Sequence, residues 1–269
     1  MKKKTNDLTI VYLLFIILLF VSGMVSRALY QLFYFLSFAL PVVLGLYFSR
    51  RDGVQWKEYL CIEKDKAKKV IPLIAPTISV IIFVSFITSL IIYHATGRVN
   101  IVNVGNSYPM ALLSHALLPA IFEEILFRYL PLRMLASYSR RGAVLISAFF
   151  FAFAHHDVFT IPYAFFAGAI LMAIDIATDS LWPSVVIHFI NNVVSVSMIF
   201  YVDDIYFAPV VYSVLGLLTV ISLAYIAKNK KKYLAFASKA FEEGEEFGIT
   251  AEMICFAALM LFVAFYNLF

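Results

Sequence analysis

Long apolar runs separated by short charged segments follow one another along the whole chain. Runs of about 20 apolar residues are long enough for a helix to cross the ~30 Å hydrocarbon core of a bilayer. They predict spans at 8–26, 28–49, 70–94, 109–130, 142–157, 160–178, 181–201, 206–227 and 251–269. The runs are continuous and do not alternate with a period of two, so helices are expected and a transmembrane barrel is not. The expected fold is all-α: a polytopic integral membrane bundle of about eight or nine transmembrane helices, forming one domain over residues 1–269. The first run follows the basic head MKKKTND. It is longer than a signal-peptide core and lacks a small-residue cleavage site, so it reads as a retained first helix. The last run follows Glu242, Glu243, Glu245 and Glu246 and reads as a span or as an interfacial helix.

Composition sharpens the class. Hydrophobic residues make up 63% of the 269 positions and charged residues 14%. That leaves too little polar surface for a water-soluble globule and far too much apolar content for a disordered chain. Of the 21 Lys and Arg residues, 18 fall in the N-terminal head and in segments 50–69, 131–141 and 228–250. Alternating spans put all four segments on one side, and the positive-inside bias makes that side, with the N-terminus, cytoplasmic. Basic loops of this kind fit a bacterial cell membrane. The cations sit at span ends, so the lipid bilayer is an expected partner and nucleic acid is not. Segment 50–69 mixes charges with Trp56, Tyr59, Leu60 and Ile62, and reads as a surface-lying stretch or a solvated loop. Cys61 and Cys255 are far apart and have no metal or redox spacing.

The informative charges are those inside spans. The run MALLSHALLPAIFEEILFRYL carries Glu123, Glu124 and Arg128. An ionised residue at a helix centre costs ~2.5–3.5 kcal/mol on insertion scales. Such residues face a bundle interior or a wet cavity and are a functional hypothesis by default. At ~100° per residue, Glu124 and Arg128 share a face and can pair. Glu123 points about 100° away and has no basic partner in its own helix. One carboxylate is thus neutralised and the other is left for chemistry. The next span ends in FFFAFAHHD, where Phe151 and His155 share a face and His156 points elsewhere. The span LWPSVVIHFINNVVSVSMIF puts His188 and Asn192 on one face. Asp175 is deep in its span with no local partner, and lies outside the candidate site. His94 and His115 near span ends read as structural. Ser195 lies two turns from His188 and lacks a base beside it, which argues against a serine nucleophile.

Glu123-Glu124-xxx-Arg128, Phe151-xxx-His155 and His188-xxx-Asn192 match in type and order the three motifs of the CAAX protease and bacteriocin-processing family. The chain resembles these intramembrane glutamate endopeptidases over residues 108–200, including the stretch Leu181-Trp182-Pro183-Ser184 before the third motif. The resemblance implies an enzyme and makes 108–200 a protease core. It implies that Glu123 and His155 activate a water, that His188 and Asn192 donate to the oxyanion, and that Glu124 and Arg128 support the site. Peptide hydrolysis needs these functions: a base for water, a proton for the leaving amine and donors where oxyanion charge develops. The implied partner is a membrane peptide or protein, CAAX-like or bacteriocin-related, and no cofactor is expected. Zinc held by Glu123, His155 and His188 is the alternative. Two other functions are weighed: a non-catalytic bacteriocin-immunity or scaffold protein of the same fold, and a proton-coupled transporter. The broken half-repeats of a carrier are missing from the sequence.

One inconsistency stands at this level. Glu123 and His188 fall in the inner half of their spans. A span over 142–157 carries His155 roughly 20 Å from Arg141, which is too far out.

Overall fold

The computed structural model describes residues 2–51, 63–98, 104–105, 107–135, 139–155, 157–241 and 258. The candidate span 251–269 apart from Ala258, with its Cys255, the aromatic linker 52–62 with Cys61, and His156 are outside the described residues. Every regular element among those residues is helical. The chain forms α1 (Lys2–Met24), α2 (Arg27–Arg51) and α3 (Lys64–Thr96). Next comes the long α4 (Tyr108–Leu135), followed by α5 (Arg140–Ala154), α6 (Ile161–Thr178) and α7 (Trp182–Phe200). Helix α8 (Phe207–Lys228) and the short α9 (Lys230–Ser238) complete them. Six of these helices are long and apolar enough to cross a membrane, and the protein is an integral membrane bundle.

Helix α5 is short, as the expected span over 142–157 is, and lies two to three residues earlier. Its 15 residues span about 22 Å, short of a full crossing. The helix stops at Ala154 because Asp157 organises a turn: its carboxylate accepts from the Phe159 N–H and the Thr160 hydroxyl. Helix α6 then returns beside α5. Gly168 lets the two approach closely, since a Cβ there would lie 2.8 Å from the Ala148 Cα. Helix α4 departs in the other direction and runs on to Leu135. Glu123 therefore lies about 18 Å from that end of α4, close to its midpoint. His155, just past the end of the short α5, lines the same cavities as Glu123. The apparent mismatch of depths came from the end of α4, which runs five residues past the expected 130.

The core sits among α1, α2, α4, α5 and α6. Two π-helical segments interrupt α4, at Leu112–Leu117 and Ile125–Tyr129. Side chains from neighbouring helices brace the second one. The Tyr12 hydroxyl donates to the Leu126 carbonyl at 3.2 Å and the Ser147 hydroxyl to the Phe127 carbonyl at 2.5 Å. Tyr12 also packs against the rings of Phe127 and Phe150. Such π turns are frequent at functional sites. This one starts just after the two glutamates. Helix α8 is apolar on all sides and has no buried residue, as suits a lipid-facing helix. It joins α3 through the Ser79 and Thr219 hydroxyls, 2.8 Å apart.

Basic segments gather at one end of the bundle. Arg51 pairs with Asp7 there, joining the end of α2 to the start of α1. Asp179, just past α6, takes Lys66 of α3 at 3.2 Å and Lys239 at 2.5 Å on one carboxylate oxygen. Arg140 donates to the Lys239 carbonyl and Tyr233 to the Lys69 carbonyl. Asp179 has a left-handed backbone with φ of 53°, which Asp and Asn tolerate better than most residues. Burial pushes its carboxyl up, but the hydrogen bonds from Lys239 and Lys66 outweigh that and hold it below the usual carboxylate range. A depressed acid stabilises the fold above its unfolded value, about pH 4, and loses that contribution as pH falls through its folded value. The pair is half-exposed, so Asp179→Asn is expected to lower stability at pH 7 by less than about 1 kcal/mol. That difference should vanish below the usual carboxylate range. Thermal unfolding of both proteins in detergent at neutral and acid pH measures it.

Candidate active site

The geometry of the site starts from Glu124 and Arg128, both 0% exposed. Their four-residue spacing spans the π turn, and Arg128 Nε lies 3.1 Å from Glu124 Oε2. This is an ion pair without well-aligned hydrogen-bond geometry, and the two Nη atoms of Arg128 make no hydrogen bond. The guanidinium instead lies over the Phe151 ring, 3.8 Å from its centroid. A cation over an aromatic face is favourable where water is excluded.

The other oxygen of Glu124 holds His188, whose Nδ1 is 2.6 Å from Oε1. A carboxylate accepts, so the Nδ1 hydrogen points at Glu124 and Nε2 faces away from it. Glu123 is on that side, with its Oε2 4.0 Å from His188 Nε2, and its side chain is 14% exposed. His155 is fixed in the same way: its Nδ1 donates to the Phe151 carbonyl at 2.7 Å, which leaves the lone pair of the neutral ring on Nε2. Phe151 meets both histidines edge-on, at 4.8 Å for His155 and 5.8 Å for His188. One phenyl ring thus touches Arg128 and both imidazoles, and its backbone anchors one of them.

Glu123, His155, His188 and Asn192 all line a single cavity of about 570 Å³. Its walls come mainly from α3, α4, α6 and α7, with Phe151 and His155 from the end of α5, Tyr34 from α2 and Tyr212 from α8. Glu123 and His155, together with Tyr34, also line a smaller cavity of about 290 Å³ on the α1–α2 side, which is otherwise apolar. Asn192 accepts from the Asn191 side chain at 3.4 Å. The Ser195 hydroxyl donates back to the Asn191 carbonyl. His94 is exposed and far along α3. His115 lines the larger cavity and bonds Ser114, so it is nearer the site than its sequence position suggests. Among the described residues, no group of three or more His, Cys, Asp or Glu side chains has metal-ligating geometry.

Two features escaped sequence reasoning. The first is the bond from His188 to Glu124, which gives this glutamate a second partner besides Arg128. The second is the partner of Asp175, namely Ser184. Ser184 lies four residues before His188 and therefore on the same face of α7, so part of that signal was in the spacing.

The fold and this cavity define a class: an all-α polytopic membrane protein with a carboxylate and two oriented imidazoles lining one cavity. Residues 105–194, about a third of the chain, match the family model described as type II CAAX prenyl endopeptidase Rce1-like. This is the CAAX protease family that the three motifs resemble, and the matched segment contains every motif residue. No curated protein and no solved structure matches the chain.

Proposed function

We propose that the protein is an intramembrane endopeptidase that hydrolyses a peptide bond in the larger cavity. The observation that carries this reading is the convergence of Glu123, His155, His188 and Asn192 on one chamber, with Glu123 outside the Glu124–Arg128 pair. Glu123 takes a proton from a water oriented with His155, and the hydroxide adds to the scissile carbonyl carbon. The charge that develops on the carbonyl oxygen is met by Asn192 Nδ2 and by His188. With Nδ1–H directed at Glu124, His188 can donate to the oxyanion through Nε2 when that nitrogen carries a proton. The tetrahedral intermediate collapses, and the leaving amine takes the proton held by Glu123. Preorganised donors of this kind contribute about 10²–10³ to the rate.

The substrates are peptides presented at the membrane, CAAX-like or bacteriocin-related. By the positive-inside bias, the basic end with the N-terminus faces the cytoplasm of a bacterial cell. Proteomics of membrane peptides from cells carrying wild type or Glu123→Gln tests the reading. New C-termini present only with wild type support it, and identical peptide populations refute it.

The chemistry proposed uses no metal. Cleavage is expected to persist after chelation, with no stoichiometric zinc in the purified protein. Stoichiometric zinc with chelator-sensitive turnover would assign Glu123, His155 and His188 as ligands of an activated water instead.

A further inference from the structure

Asp175 is fully buried in α6, away from the cavity wall. Its two carboxyl oxygens serve one residue of α7. Oδ1 accepts from the Ser184 N–H at 3.2 Å, and Oδ2 lies 2.6 Å from the Ser184 hydroxyl. That N–H belongs to the first turn of α7, where helix amides have no partner within the helix. One turn further on from Ser184, His188 is bonded to Glu124.

We propose that Asp175 is a positioning residue for His188. It fixes the start of α7 and the Ser184 hydroxyl, and so sets the register in which His188 Nδ1 meets Glu124. A buried acid in a span is costly, and in this molecule the cost is met by two hydrogen bonds to the helix that carries the imidazole. The role needs a hydrogen-bonding group of carboxyl shape and not its charge, so Asn should replace Asp. Asp175 touches neither cavity residues nor the space where substrate would sit, so it acts only through α7.

The kinetic consequence rests on the endopeptidase reading, but the geometric one does not. The test therefore has two readouts on full-length protein in lipid nanodiscs. The first is the hydrogen-bonded Nδ1–H resonance of His188, observed by NMR with isotope-labelled histidine. The second is cleavage of a quenched-fluorescent CAAX-type peptide. Asp175→Ala should shift or broaden the His188 resonance and lower kcat about tenfold, the scale of one lost hydrogen bond, with KM unchanged. Asp175→Asn should retain the resonance and most of kcat. If Asp175→Ala does not fold, Ser184→Ala takes its place and should show the same loss. An unshifted His188 resonance in the folded variant overturns the proposal, as does an Asn variant no better than Ala. A wild-type protein that cleaves nothing, while the resonance responds as expected, refutes the endopeptidase reading and leaves the positioning role standing.

Discussion

Replacing Glu123 by Gln is expected to abolish peptide cleavage and leave folding and membrane insertion intact. The change is nearly isosteric and removes only the capacity to take a proton. General-base catalysis contributes about 10²–10⁴-fold, so loss on that scale is expected. Folding should be spared because Glu123 is not part of the buried ion pair. His188 Nε2 lies 4.0 Å from its carboxylate, beyond hydrogen-bonding distance. His155→Ala should likewise lose turnover, since it removes the imidazole beside that carboxylate. Cleavage assays on reconstituted protein, with size-exclusion profiles as the folding control, measure both. Retained cleavage in either variant rules out the proposed water activation.

The neighbouring glutamate pair should behave in the opposite way. Arg128→Leu is expected to destabilise the fold by about 3–5 kcal/mol, because it takes the guanidinium partner from a carboxylate buried away from water. Both side chains have no contact with solvent, and the guanidinium also loses its place over the Phe151 ring. Arg128→Lys should fall between, since an ammonium keeps the charge but not the planar stack. The double variant Glu124→Gln with Arg128→Leu should recover part of the loss, because both members of the buried ion pair are then removed together. Thermal unfolding in detergent, followed by circular dichroism, checks the series. A single Arg128→Leu variant as stable as wild type would show that the pair does not hold this region together.

Adjacent residues of the same type thus have different fates, and the sequence foresaw part of this. The four-residue spacing puts Glu124 and Arg128 on one helical face, and the observed π turn keeps them there, 3.1 Å apart. Spacing alone likewise linked Phe151 with His155 on one face, and the Phe151 carbonyl does hold His155 Nδ1. It did not show that the Phe151 ring also carries Arg128, since that contact joins α5 to α4. It gave α5 as a short span over 142–157, but not what ends the helix at Ala154, because that turn rests on side-chain bonds of Asp157.

By itself the sequence determined that this protein is a bundle of membrane helices, because lipid leaves backbone groups no partner outside a helix or a closed barrel. It also determined which polar residues the helices carry, because each is costly in a span and stands out from its apolar background. Only the tertiary structure decided which of those residues meet. The bond from His188 to Glu124 connects residues 64 positions apart, and the contact of Asp175 with Ser184 crosses from α6 to α7. Helical periodicity fixes directions within one helix. The depth and rotation of one helix against another depend on packing, such as the close approach at Gly168 and the braced π turn of α4.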